Sequence, residues 1–149
     1  SQILKLGHHV AALCDVDAGQ LAQSQKRHGE GVAKAALYQD YRVLLEKEKS
    51  LDAVVIATPD HWHAPICRAA MQAGRHVYCE KPLTHTIAEA EELIRLSKAK
   101  GVQVQVGHVE RFNPAFLALE DMSLKPLFIE AHRLAAFNPG VQMYRWYLI

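Results

Sequence analysis

Long apolar runs are absent from this 149-residue chain, and with them any stretch of about 18 residues able to cross a membrane as a helix. An excess of one charge is also absent. Seventeen Lys and Arg face 16 Asp and Glu for a formal net charge of +1, without blocks of like sign. That balance excludes a nucleic-acid or membrane partner recruited by bulk electrostatics. Cysteine is scarce: Cys14, Cys67 and Cys79 sit in apolar settings with no paired metal spacing, which excludes a disulfide framework and points to a reducing, cytoplasmic compartment. The opening Ser1-Gln2-Ile3-Leu4-Lys5-Leu6-Gly7 is too short for a signal peptide, although a signal further upstream is left open. Half the residues are hydrophobic, so the chain is globular rather than disordered. A domain of this length buries roughly 70% of its unfolded surface.

What is present is an alternation of strand and helix patterns as far as Gly107, the mark of an α/β fold with a doubly wound parallel sheet. Val10 to Asp15 is a short apolar run ending in a carboxylate. Asp17, with Gln20 three residues on, caps a helix through about His28 that Gly29 closes. Ala35 to Tyr38 reads as a strand, and Asp40 caps a helix carrying Leu44 and Leu45 that ends near Ser50. The continuous run Asp52 to Ala57 predicts a central strand covered on both faces. Pro65 suits the first turn of the next helix and Gly74 its end. His76 to Cys79 is again strand-like. Thr86-Ile87-Ala88-Glu89 is a capping box opening a helix with Ile87, Ala90, Ile94 and Ser97 on one face and Gly101 as terminator, before a strand at Val102 to Val106.

Beyond Gly107 the pattern changes. Asn113-Pro114 opens a short helix towards Met122, and Leu127 to Phe137 reads as extended. A boundary near residues 122–126 gives an incomplete Rossmann-type domain over 1–122 and the beginning of an α+β domain over 123–149. The apolar, aromatic tail Met143 to Ile149 is expected to lack its partner strands. At the other end, Ser1 to Leu6 followed by Gly7 reads as the close of a helix and its left-handed cap. A doubly wound nucleotide domain begins with a strand and a Gly-rich turn before that helix. No G-x-G-x-x-G occurs here, so the chain reads as a fragment that enters midway through the first helix. With the central first strand missing, the Val10 and Val54 strands are expected either to pair with each other or to leave their inner edges exposed.

Every polar landmark falls at the carboxyl end of a predicted strand: Asp15, Thr58-Pro59, Glu80-Lys81-Pro82 and Gly107-His108. Ligands bind outside those ends in open α/β sheets. Asp15 is placed to accept hydrogen bonds from an adenosine ribose and to repel a 2′-phosphate, which favours NAD over NADP; alternatively it merely turns the chain. His61 and His63 flank Trp62 and read equally as helix-entry residues around a packed ring. No carboxylate or thiolate completes a His-x-His metal site. Glu80 and Lys81 are adjacent, so in extended chain they point to opposite sides and do not form one salt bridge. A Lys-Pro loop could also be plain solvent-facing punctuation.

The runs Val77-Tyr78-Cys79-Glu80-Lys81-Pro82 and Ala57-Thr58-Pro59-Asp60-His61-Trp62-His63, together with Ala73-Gly74-Arg75-His76-Val77, resemble the glucose-fructose oxidoreductase, inositol dehydrogenase and MocA (Gfo/Idh/MocA) family of nicotinamide-dependent sugar oxidoreductases. The resemblance extends from about Val10 to Asn138. It implies Thr58, Pro59 and His63 beside the dinucleotide, and Glu80 on a ribose or bracing its loop. It also implies Lys81 next to the nicotinamide and substrate as the catalytic acid/base or positioning group, often followed by a cis proline such as Pro82. Lysine suits this role because an amine can give up its proton, eased by a cationic ring nearby, whereas a guanidinium cannot. Gly107-His108-Val109-Glu110-Arg111-Phe112-Asn113-Pro114 resembles the family's crossover into its second domain, with His108 on the nicotinamide side. Arg111 either binds a substrate phosphate or carboxylate or anchors the crossover through Glu110 or Glu120.

The implied activity is oxidation of a secondary hydroxyl of a sugar or nucleotide-sugar by hydride transfer to NAD(P), in a homo-oligomer built through the second-domain sheet. From Arg111 to Asn138 the chain looks most like relatives acting on UDP-linked amino sugars. The missing Gly-rich loop and later second domain lead to an expectation of weak NAD affinity and little or no turnover for the 149 residues alone. The rival readings are a non-catalytic nucleotide-binding or regulatory module and an inactive truncated folding unit.

Overall fold

A computed structural model describes residues 2–120, Met122, Ser123, Lys125, Leu127, Phe128 and Tyr147–Leu148. The chain divides into two packed units, one of Ser1–Gly107 with Trp146–Ile149 and one of His108–Arg145.

The first unit is built as its punctuation predicts. Helix α1, Gln2–Lys5, is closed by Gly7 at φ 78°, whose N–H bonds the Leu4 carbonyl at 3.1 Å. After β1 (Ala12–Cys14), the Asp17 carboxylate accepts the Gly19 N–H at 2.7 Å and opens α2, Ala18–His28. The Gln20 side chain completes no capping box, since its Oε1 is buried without a partner among the described residues. β2 (Ala36–Tyr38) leads to Asp40, which accepts the Arg42 N–H at 2.8 Å and starts α3, Tyr41–Lys47. β3 (Ala53–Ala57), α4 (Asp60–Gln72) and β4 (His76–Cys79) follow. The Thr86–Glu89 capping box opens α5, Ile87–Lys100, before β5, Val104–Val106.

Three expectations are corrected. Pro65 lies inside α4, because the helix already starts at Asp60, immediately after Pro59. The inward face of α5 is centred on the fully buried Leu93, with Leu96 partly buried against the core, whereas Ile87 and Ile94 are 81% and 51% exposed. Strand β3 is covered unevenly among the described residues: Val54 and Ile56 are buried while Val55 and Ala57 are half-buried. Alternate residues of a strand point to opposite faces. Val54, Ile56, Val77 and Cys79 join α3, α4 and α5 residues in the main core. On the other face, Leu13 of β1 packs with Leu21 of α2, Val10, Val32 and Ala35 in a smaller cluster.

The strand order is β2-β1-β6-β3-β4-β5, where β6 is Tyr147–Leu148. β1/β2, β3/β4 and β4/β5 are parallel, with Cys14 opposite Tyr38, Ile56 opposite Cys79, and Cys79 opposite Val106. Neither expectation for the gap between β1 and β3 holds. β6 fills it antiparallel to both, with Leu148 opposite Cys14 and Ile56 and Tyr147 opposite Ala57. The physical reason is that the inner edges carry backbone donors and acceptors that burial would otherwise leave unpaired. The remainder of the apolar tail, Met143–Trp146 and Ile149, and most of the predicted extended segment, residues 129–137, lie outside the described residues.

In the second unit, a short 3-10 turn at Val109–Phe112 precedes α6, Pro114–Glu120, whose first turn is capped by the Asn113 amide oxygen accepting the Ala115 N–H at 3.0 Å.

Candidate functional site

Because β1, β2, β3, β4 and β5 run parallel, their carboxyl ends share one edge of the sheet. Asp15, Thr58, Pro59, Glu80 and Lys81 therefore meet there, with Gly107 at the end of β5. His108 and Arg111 belong to the second unit, where both are exposed.

Asp15 continues β1 by donating its N–H to the Tyr38 carbonyl at 3.1 Å. Its Oδ1 accepts the Asp17 N–H at 2.9 Å, so one oxygen does turn the chain. Burial lifts this carboxyl above its ordinary range, opposed by the Asp17 N–H and reinforced by the Asp17 charge.

Thr58 and Pro59 end β3 in a sharp turn. The Pro59 carbonyl accepts the Trp62 N–H at 2.8 Å and starts α4. The Thr58 hydroxyl is buried with no hydrogen-bond partner among the described residues, an orphaned polar atom at the ligand edge. Trp62 is exposed rather than packed inside, meeting Tyr41 edge-to-face at 6.4 Å between ring centroids. His63 is 0% exposed, with Nδ1 at 2.6 Å from the Pro82 carbonyl oxygen and Nε2 at 2.8 Å from that of Thr58.

The loop after β4 leaves the sheet through Glu80, whose N–H bonds the Ile56 carbonyl at 2.8 Å. The Lys81–Pro82 peptide is cis, as the resemblance implies. Lys81 is exposed and forms no ion pair with Glu80; the two share only a long contact of 3.4 Å from the Lys81 N–H to Glu80 Oε2.

The sequence names Gly107 at its strand end but not its closeness to Glu80, nor any part for Tyr78. Tyr78 and Glu80 stand two apart in extended chain and so share a face, and their polar tips converge over Gly107. A Cβ on Gly107 would lie 2.8 Å from Tyr78 Oη and 3.0 Å from Glu80 Oε2, so that space is kept for the phenol and the carboxylate. Burial, then the Glu80 charge, raises the Tyr78 pKa. The i, i+2 spacing was the available signal. The closeness of Gly107 needed the β4/β5 register.

The cysteines are free and buried. Burial, then the Asp40 and Asp15 charges, push Cys14 up to about 12, and the Cys67 side chain together with burial raises Cys79. No cluster of three or more His, Cys, Asp or Glu suited to a metal occurs among the described residues.

A family model described as an oxidoreductase family with an NAD-binding Rossmann fold matches residues 3–108. Among curated proteins, the chain is 39% identical over 90 residues to UDP-N-acetylglucosamine 3-dehydrogenase of Acidithiobacillus ferrooxidans, covering 60% of the chain and 29% of that protein. It is 34% identical to inositol 2-dehydrogenase 1 of Saccharopolyspora erythraea, covering 76% and 33%. Among solved structures, a probable dehydrogenase from Thermotoga maritima aligns with a TM-score of 0.69 at 27% identity, over 79% of the chain and 34% of that structure. The WlbA (WbpB) dehydrogenase of Thermus thermophilus, in complex with NAD and α-ketoglutarate, aligns with a TM-score of 0.69 at 25% identity, over 78% and 38%. The chain thus spans about a third of the length of these curated relatives.

Proposed function

The chain belongs to the Gfo/Idh/MocA oxidoreductases, and from that membership we propose that it forms the cofactor side of a dehydrogenase oxidising a secondary hydroxyl of a sugar or nucleotide-sugar. NAD would supply the hydride acceptor. The residues on the sheet edge suit it in kind: a carboxylate for ribose hydroxyls at Asp15 and, without a partner among the described residues, a hydroxyl at Thr58 and an amine at Lys81. Asp15 favours NAD, since a second negative group beside it would be repelled. UDP-N-acetylglucosamine 3-dehydrogenase and inositol 2-dehydrogenase 1, as names, both specify oxidation at a ring alcohol, which supports the substrate class.

One observation carries the reading. The backbone on either side of Lys81 is held, by Glu80 N–H to Ile56 and by His63 to Pro82, while the Lys81 amine itself is exposed without an ion-pair partner among the described residues. A fixed backbone with a free amine can be aimed at a ligand, take a hydroxyl proton or hold the oxygen in place. Glu80, kept off Lys81, serves a ribose or braces the loop.

The test is NADH formation with a panel of sugars and UDP-sugars by a chain completed to the length of its relatives, since the 149 residues alone are expected to turn over little. Lys81→Ala should lower kcat by about 10²-fold or more with NADH binding little changed. Lys81→Arg should not restore it, because arginine keeps its proton. Full turnover in Lys81→Ala would reject the assignment.

A further inference from the structure

His63 has both polar atoms committed to the protein, and each partner is a backbone carbonyl: Pro82 at 2.6 Å and Thr58 at 2.8 Å. The two carbonyls belong to different turns. Thr58 closes β3, and Pro82 follows Lys81 after β4. The strands are laddered as far as the bond from Glu80 N–H to the Ile56 carbonyl, and His63 bonds the next turn on each side. We propose that His63 is a positioning residue, a two-sided brace tying the turn after β3 to the Lys81 loop, rather than a group that touches the cofactor.

The chemistry makes the claim sharp. A carbonyl oxygen only accepts, so each nitrogen that bonds one must carry hydrogen, and a neutral imidazole carries one. Holding both turns at once takes the doubly protonated ring, whose buried charge two short charge-assisted hydrogen bonds offset in part, with no carboxylate paired to it among the described residues. A neutral ring would hold one turn and set lone pair against lone pair at the other. Contact with a ligand would require His63 to break one of these bonds and leave a buried carbonyl unpaired. Only the consequence for Lys81 rests on the proposed function; the brace itself needs no cofactor.

The direct experiment is long-range ¹H–¹⁵N correlation on the ¹⁵N-histidine-labelled chain without cofactor, with His63 assigned by its loss in His63→Gln. Both ring nitrogens should appear protonated and exchange slowly with D₂O; a stable neutral tautomer with one bare nitrogen would overturn the two-sided brace. Amide exchange at Glu80, whose N–H bonds the Ile56 carbonyl at the base of the loop, should quicken about tenfold in His63→Leu and less in His63→Gln, which keeps one donor group. Unchanged exchange in both would also overturn it. With nicotinamide nucleotide present, His63→Leu should lower kcat while leaving the NADH Kd nearly unmoved; a collapsed Kd with intact kcat would show direct contact and overturn the brace. If Lys81→Ala proves fully active while the ring signals are as expected, the brace stands and the active-site reading falls.

Discussion

The two halves of the sheet hold themselves together differently. Around β3, β4 and β5, Ile56, Cys67, Ala70, Met71 and Cys79 are completely buried, and the Arg68 guanidinium pairs with Glu92 at 2.6 Å to join α4 to α5. Around β1 and β2 the separate cluster is Val10, Leu13, Leu21, Val32 and Ala35, and the outer strand exposes Leu37 by 42%. Among the described residues β1 pairs with β6 by a single residue pair, and one face of β1, Ala12 and Cys14, reaches the main core. The more deeply buried half carries Thr58, His63, Glu80 and Lys81. The lightly packed half carries Asp15. A dehydrogenase divides its demands in the same way, since reacting atoms must be placed within a fraction of an ångström while a distant anchor need only hold.

The largest expected effect is on the well-buried half. Met71→Ala should cost about 2–5 kcal/mol in urea unfolding, against under about 0.5 kcal/mol for Leu37→Ala on β2. Equal losses would erase the contrast. Gly107→Ala should cost about 1–3 kcal/mol, since its Cβ meets Tyr78 and Glu80, and Tyr78→Phe in the same chain should return part of that loss by removing the hydroxyl. Strict additivity of the two would mean the tips do not share that space. Thiol labelling sharpens the comparison without mutating the core. Cys14 on β1 should react before Cys67 and Cys79, because local opening comes first where burial is least. The reverse order would place the weak half at β3 and β4.

The smallest effect concerns Asp15. Its folded carboxyl titrates above its unfolded value, so the folded state holds the proton more tightly. Its contribution to stability is greatest below the unfolded value and is lost as pH rises through the window up to the folded one. Asp15→Asn should flatten that part of the stability-versus-pH profile, and an unchanged slope would show the carboxyl to be freely solvated.

The punctuation of the fold was legible because it is local. Asp17, Asp40, Thr86 with Glu89, and the glycines at 7, 29 and 101 act on their own few residues, and each stands where its chemistry required. The faces were less legible. Ile94 looked inward by periodicity, yet Leu93 is the buried residue, because the packing of α4 sets which stripe of α5 is covered. The gap beside β1 could be read, but not its filling by Tyr147–Leu148, since pairing between residues so far apart in the chain has no local signal. At the candidate site the polar residues could be named from strand ends alone. That His63 turns both nitrogens onto backbone, and that Gly107 lies under Tyr78 and Glu80, required the register.

The most direct test of the account observes the Lys81 amine itself, by ¹³C-methylating the lysines, assigning Lys81 through Lys81→Arg, and adding NAD⁺ or ADP-ribose, which lacks the nicotinamide ring. The account predicts that the Lys81 signal moves with NAD⁺ and stays in place with ADP-ribose. A signal that responds alike to both ligands, while residues around Asp15 report binding, would contradict it.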